Sequence, residues 1–128
     1  MGLSDLIKDA DWKKEKHVPV IEVPASVSAG EPATVAVSVG REIAHPNTPE
    51  HFIAWIKLFF QAEGAQFPVE VGDYSFSVHG SGDDDGAFPK AEPFVEAKVS
   101  FETSGKLFAL SYCNIHGLWQ GETNLEVE

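Results

Sequence analysis

Apolar and polar residues alternate along most of the chain, helical spacing is almost absent, and turn signals punctuate the alternating stretches. These three observations predict an all-β protein, an immunoglobulin-like sandwich of about seven strands. A short N-terminal helix is expected first, within Leu3 to Trp12, with Ser4 as its cap. Strands are then expected over Val18 to Val23 and Ala33 to Val39, separated by Ser28-Ala29-Gly30. Pro46-Asn47-Thr48-Pro49 divides the second strand from a third over Phe52 to Gln61, and Glu63-Gly64 divides that from a fourth over Phe67 to Val78. After Ser81-Gly82-Asp83 comes Phe94 to Glu102, and after Ser104-Gly105 comes Lys106 to Tyr112. The last strand is expected over Glu122 to Val127.

The chain has 128 residues, close to the commonest size of one domain, and shows no internal repeat or low-complexity segment, so residues 1–128 are expected to form a single domain. No apolar run approaches the roughly 20 residues that span a bilayer, and Met1 to Lys14 mixes apolar and charged residues unlike a secretory signal. No membrane segment is expected. With one cysteine an internal disulfide is impossible, and a reducing, cytoplasmic setting fits. The net charge of -11, with nine scattered basic residues, argues against a nucleic-acid partner, because phosphate binding needs a positive stripe. Any anionic substrate needs a local lysine or arginine. Asp83-Asp84-Asp85 lacks the alternating ligands of an EF-hand loop and reads as a solvated loop tip. Trp55, Phe59, Phe60, Tyr74, Phe76, Phe101, Phe108 and Tyr112 lie inside the expected strands and are assigned to the core, while Trp119 either packs there or walls a metal site.

Chemistry concentrates in one cysteine and the histidines. In Cys113-Asn114-Ile115-His116 the two intervening residues allow a tight turn in which sulfur and imidazole converge on one metal ion. His17 opens the first strand, and His45 and His51 bracket the turn from Pro46 to Glu50; His79 lies apart. Five donors from three places are therefore expected at one pole of the sandwich. Structural zinc prefers four tetrahedral ligands, and calcium and magnesium prefer oxygen. Blue copper uses two histidines and a cysteine, but its loop normally adds a methionine, and here the only methionine is Met1, leaving Gln120 as the one substitute. A cupredoxin-like electron carrier is thus the alternative. A redox-active iron with four imidazoles in a plane and an axial thiolate uses every donor and leaves the position opposite sulfur open.

Glu15-Lys16-His17-Val18-Pro19, His45-Pro46-Asn47 with His51, and Cys113-Asn114-Ile115-His116-Gly117 together resemble superoxide reductase, in the single-iron, neelaredoxin-like class of the desulfoferrodoxin family, over nearly the whole chain. The resemblance implies an immunoglobulin-like sandwich and an enzyme that reduces superoxide to hydrogen peroxide. It implies one non-haem iron held by His17, His45, His51 and His116 in the plane and Cys113 on the axis. The four-cysteine N-terminal domain of longer members is expected to be absent, since no cysteine precedes Cys113. Rubredoxin or a similar small carrier is implied as electron donor, and a homo-oligomer, commonly a tetramer, as the assembly. Lys16 would draw superoxide to the open position. Glu15 would occupy the sixth position of the resting ferric centre and leave on reduction. The backbone N–H groups of Ile115 and His116 are expected to face the thiolate, and His116 to bind through Nδ1.

Overall fold

Alternation in sequence becomes burial in a sandwich. The computed structural model describes residues 1–82 and 86–128, so the Asp83-Asp84-Asp85 run lies outside the described residues. Seven strands are found among the described residues: β1 (Pro19–Glu22), β2 (Pro32–Val39), β3 (Ile53–Ala62), β4 (Val69–Ser75), β5 (Phe94–Ser100), β6 (Gly105–Cys113) and β7 (Gly117–Leu125). They form two antiparallel sheets, ordered β1-β2-β5 and β4-β3-β6-β7. β2 turns Ala33, Val35, Val37 and Val39 inward, and β6 turns Leu107, Ala109, Ser111 and Cys113 inward. Ile56 and Leu58 from β3 and Leu125 from β7 complete a core dominated by aliphatic side chains. Each large one stabilises the fold by about 1.5–3 kcal/mol relative to exposure.

Register fixes where the segments that carry His17, His45, His51 and Cys113 meet. Pro19 pairs with Val39, which sets the start of β1 beside the end of β2. Ile53 pairs with Cys113, which sets the start of β3 beside the end of β6. The Ser111 hydroxyl donates to the His17 carbonyl at 3.2 Å and joins these two corners at one pole.

Three expectations are corrected. The helix over Leu3 to Trp12 is only a single 3-10 turn, Leu3–Asp5, capped by Gly2 rather than Ser4. Leu3 and Leu6 are exposed there, so no apolar face is buried to hold a longer helix, and Lys8 instead pairs with Trp119 of β7. β7 begins at Gly117 rather than Glu122, because Gly117 adopts φ 84°, closes the turn after Cys113, and lets pairing start at Cys113↔Gly117. Of the eight aromatic residues assigned to the core, only Phe101 is buried; Phe60 and Phe76 pack against the core's margin. Trp55, Phe59, Phe108 and Tyr112 occupy the outer face of the four-stranded sheet, half-buried, with Trp55 stacked on Tyr112 at 5.7 Å. Apolar residues stand on both faces of β3 and β6, so alternation alone does not say which face is inner.

Candidate metal centre

Five donors reach the same pole from four chain segments. His17 lies two residues before β1, and the segment after β2 carries His45. Gly40, at φ 84°, permits this return: a Cβ there would lie 2.7 Å from the His45 backbone nitrogen. His51 ends a tight turn in which Thr48 and His51 exchange backbone hydrogen bonds at 3.0 and 3.1 Å. Cys113 ends β6, and His116 stands before Gly117. Ligating atoms of His17, His51, Cys113 and His116 all lie within 4.8 Å of one another. His45 adjoins this group, its ring 4.8 Å from that of His17 and 4.7 Å from that of His51.

Outer contacts of the His17 and His45 rings aim their Nε2 atoms inward. His17 Nδ1 lies 3.0 and 3.1 Å from the two Glu15 oxygens, so Nδ1 carries the proton and Nε2 presents a lone pair. His45 Nδ1–H donates to the Pro46 carbonyl at 2.6 Å, which aims its Nε2 in the same way. Among the described residues, Nε2 of His45 and of His51 are buried without a hydrogen-bond partner. Two orphaned buried nitrogens beside a buried thiol are costly unless a cation fills the space. His17 Nε2 and His116 Nδ1 face each other at 3.1 Å, a separation two bare lone pairs tolerate only with a proton or cation between them. Nitrogen and sulfur donors in this number suit a transition metal rather than calcium or magnesium. The residues therefore fit a metal ion.

Nδ1 is the His116 nitrogen turned inward, 3.8 Å from Cys113 Sγ. The His116 backbone N–H donates to that sulfur at 3.4 Å, whereas the described hydrogen bonds include none from Ile115. Trp119 stacks on His17 with centroids 4.8 Å apart and planes 12° from parallel, and its Nε1–H donates to the His116 carbonyl at 3.3 Å. Trp119 thus walls the site and packs at once. Glu15 stands behind His17, bonded to its ring and its backbone N–H, and is not among the converged donors.

Burial is uneven, and the site is most exposed at His116. Cys113, His17 and His45 are buried, His51 is half-buried and His116 is exposed. Desolvation depresses His45 to about 4 against the opposing pull of the Pro46 carbonyl, aided by the charges of His17, His51 and Lys16. His51 is lowered by desolvation and by the His116, His17 and Lys16 charges. Both imidazoles are thus neutral near pH 7, as metal ligands must be. For Glu15, burial pulls upward, but the hydrogen bonds from His17 and the charges of His17 and Lys16 outweigh it and hold the carboxyl low. Lys16 adjoins His17 in the chain, and its charge is the last of the causes that lower His45 and His51.

The sequence matches the model of the desulfoferrodoxin family over residues 9–122. This chain belongs to the desulfoferrodoxin family. Within it, the chain is 54% identical to a superoxide reductase of Pyrococcus abyssi over 97% of its own length and 99% of that protein. It is 46% identical to a neelaredoxin of Megalodesulfovibrio gigas, covering 94% of each. The structure of a superoxide reductase (neelaredoxin) from Archaeoglobus fulgidus in the reduced form superposes with a TM-score of 0.84 at 53% identity, covering 94% of this chain and 98% of that one.

Sequence reasoning gave no role to Asn47, His79 or Asn114. Asn47, two residues after His45, donates from Nδ2 to the Ala91 carbonyl at 3.0 Å and turns Oδ1 toward His79 Nδ1 at 3.0 Å. The His79 ring stacks on Phe52, next to His51, at 3.9 Å, so it lies under the His45–His51 loop rather than in the donor cluster. The only signal in the sequence was proximity: each asparagine lies within two residues of a donor.

Proposed function

We propose that this protein is a superoxide reductase, with His17, His45, His51, His116 and Cys113 holding one non-haem iron. The observation that carries this reading is the convergence of three imidazoles and one thiol with a fourth imidazole, His45, adjoining them; among the described residues, the inward nitrogens of His45 and His51 are buried and have no partner. Iron bound there supplies the single electron which, with two protons, converts superoxide into hydrogen peroxide.

The chain's own groups prepare that chemistry. Glu15 fixes the His17 tautomer, the Pro46 carbonyl fixes that of His45, and Trp119 holds the His17 ring flat, so the donors need little rearrangement. The His116 N–H to Cys113 Sγ bond tempers the charge on sulfur and with it the potential of the centre. Lys16 attracts the superoxide anion where the remainder of a chain of charge -11 repels it. Glu15 is also proposed as a carboxylate that would help hold the oxidised iron; to do so it would have to leave His17, which would require its loop to move. Protons come from solvent through the side on which His116 is exposed.

Residues 1–128 are proposed as one iron-binding domain, returned to the ferrous state by rubredoxin or a similar small carrier. A homo-oligomer, with a tetramer as the expected size, is supported by the apolar outer face of the four-stranded sheet, where Trp55, Phe59, Phe108, Leu110, Tyr112 and Leu118 stand half-buried. The single buried cysteine suits the reducing cytoplasm, and among the described residues no helix is long and apolar enough to cross a membrane. A cupredoxin-like carrier would leave two of the four imidazoles unused.

The test is to mix the reduced, iron-loaded protein with superoxide by stopped flow, counting peroxide formed and dioxygen released. Peroxide with oxidation of the iron and no dioxygen is expected. Equal release of dioxygen would mean dismutation, and no reaction would overturn the assignment.

A further inference from the structure

The thiolate turn and the histidine loop lie on different strands, yet the metal needs both in one arrangement. We infer that Asn114 is the positioning residue that locks them together, an inference that rests on the metal-centre reading above. Its side chain leaves the Cys113–His116 turn and grips the backbone on both sides of His51. Oδ1 accepts from the Phe52 N–H at 2.9 Å, and Nδ2 donates to the Glu50 carbonyl at 3.0 Å. Its own backbone N–H donates to the Phe52 carbonyl at 3.2 Å.

Geometry explains why a side chain does this. The β3–β6 register ends at Ile53↔Cys113, and the Asn114 N–H to Phe52 carbonyl bond is the last backbone contact beyond it, because the chain after Cys113 turns away into the hairpin. The Asn114 carboxamide has the donor and the acceptor of a peptide group, and it adds one more rung past the end of the ladder. Aspartate lacks the donor, and alanine lacks both. The rung places His51 at a fixed height relative to Cys113 and His116. Asn114 is exposed, so water replaces its hydrogen bonds when it is removed. The cost is therefore expected in ligand placement rather than in folding. His51 is held from its other side by the Asn47–His79–Phe52 contacts, so the loop stays folded without Asn114 while its register against the thiolate loosens.

The test uses the full chain loaded with Co2+, whose absorption reports thiolate ligation, together with amide exchange in the metal-free protein. For Asn114→Ala we expect Co2+ affinity to fall about ten- to a hundredfold, as for other groups that orient ligands, with a shifted thiolate band. In the metal-free variant the Phe52 amide should exchange at least tenfold faster while the melting midpoint stays close to that of the parent. Asn114→Asp keeps the acceptor for Phe52 but loses the donor to Glu50. Charge alone would tighten its hold on a cation, so weaker Co2+ binding with a protected Phe52 amide is the expected signature, and it carries the test if the alanine variant unfolds. Parent-like affinity and band in both variants, with a normal parent spectrum, would overturn the Asn114 role alone. A parent protein with no thiolate band would overturn the metal-centre reading itself.

Discussion

His17 is fixed from three directions: Glu15 bonds its Nδ1, Trp119 stacks on its ring, and Ser111 bonds its carbonyl. Its neighbour Lys16 is expected to act through charge. Replacing it, Lys16→Ala, should slow superoxide capture several-fold at low salt and flatten the dependence of the rate on ionic strength. Unchanged second-order rates at low salt would remove the steering role. In the iron-loaded protein, Glu15→Ala should leave reduction of superoxide largely intact and alter the ferric absorption spectrum, while iron is held more weakly because His17 Nδ1 loses its partner; an unaltered spectrum counts against ligation by Glu15. The donor residues were legible in the sequence because few residue types bind metals and the single cysteine lies three positions from a histidine. Their supports were not. Asparagine, tryptophan and serine serve many roles, and nothing local distinguishes the Asn114 that bridges two strands from an asparagine in any turn.

β3 and β6 carry the site as well as the core, so their packing and their chemistry are linked. Leu107 is fully buried between the sheets, and Leu107→Ala should destabilise the protein by about 2–5 kcal/mol, read from the urea midpoint at unchanged slope. A loss well under 1 kcal/mol would mean that the core collapses around the gap. Strand positions were readable because β2 alternates and β3 and β6 are apolar, β-prone runs bounded by turn signals. The start of β7 was not, because Leu118-Trp119-Gln120-Gly121 alternates weakly and its pairing depends on the positive φ of Gly117. The expected N-terminal helix failed for a tertiary reason: the apolar residues of Leu3 to Leu6 meet no surface that would bury them. Outer-face aromatics misled in the same way, because a strand with two apolar faces does not reveal which one is covered.

At the scale of the whole molecule, two antiparallel sheets bring the start of β1, the region after β2, the start of β3 and the end of β6 to one pole, and the donors follow from that topology. The acidic surface, with a net charge of -11, makes one well-placed lysine matter more than it would on a neutral protein. Iron occupancy and its ligand set are therefore the central claim. X-ray absorption of the ferrous protein, with the iron content measured on the same sample, tests it most directly. One iron per chain with a single sulfur neighbour and four nitrogen neighbours is the predicted result, and Cys113→Ser should remove the sulfur shell. Substoichiometric iron, or iron without a sulfur neighbour in the parent protein, would contradict the account.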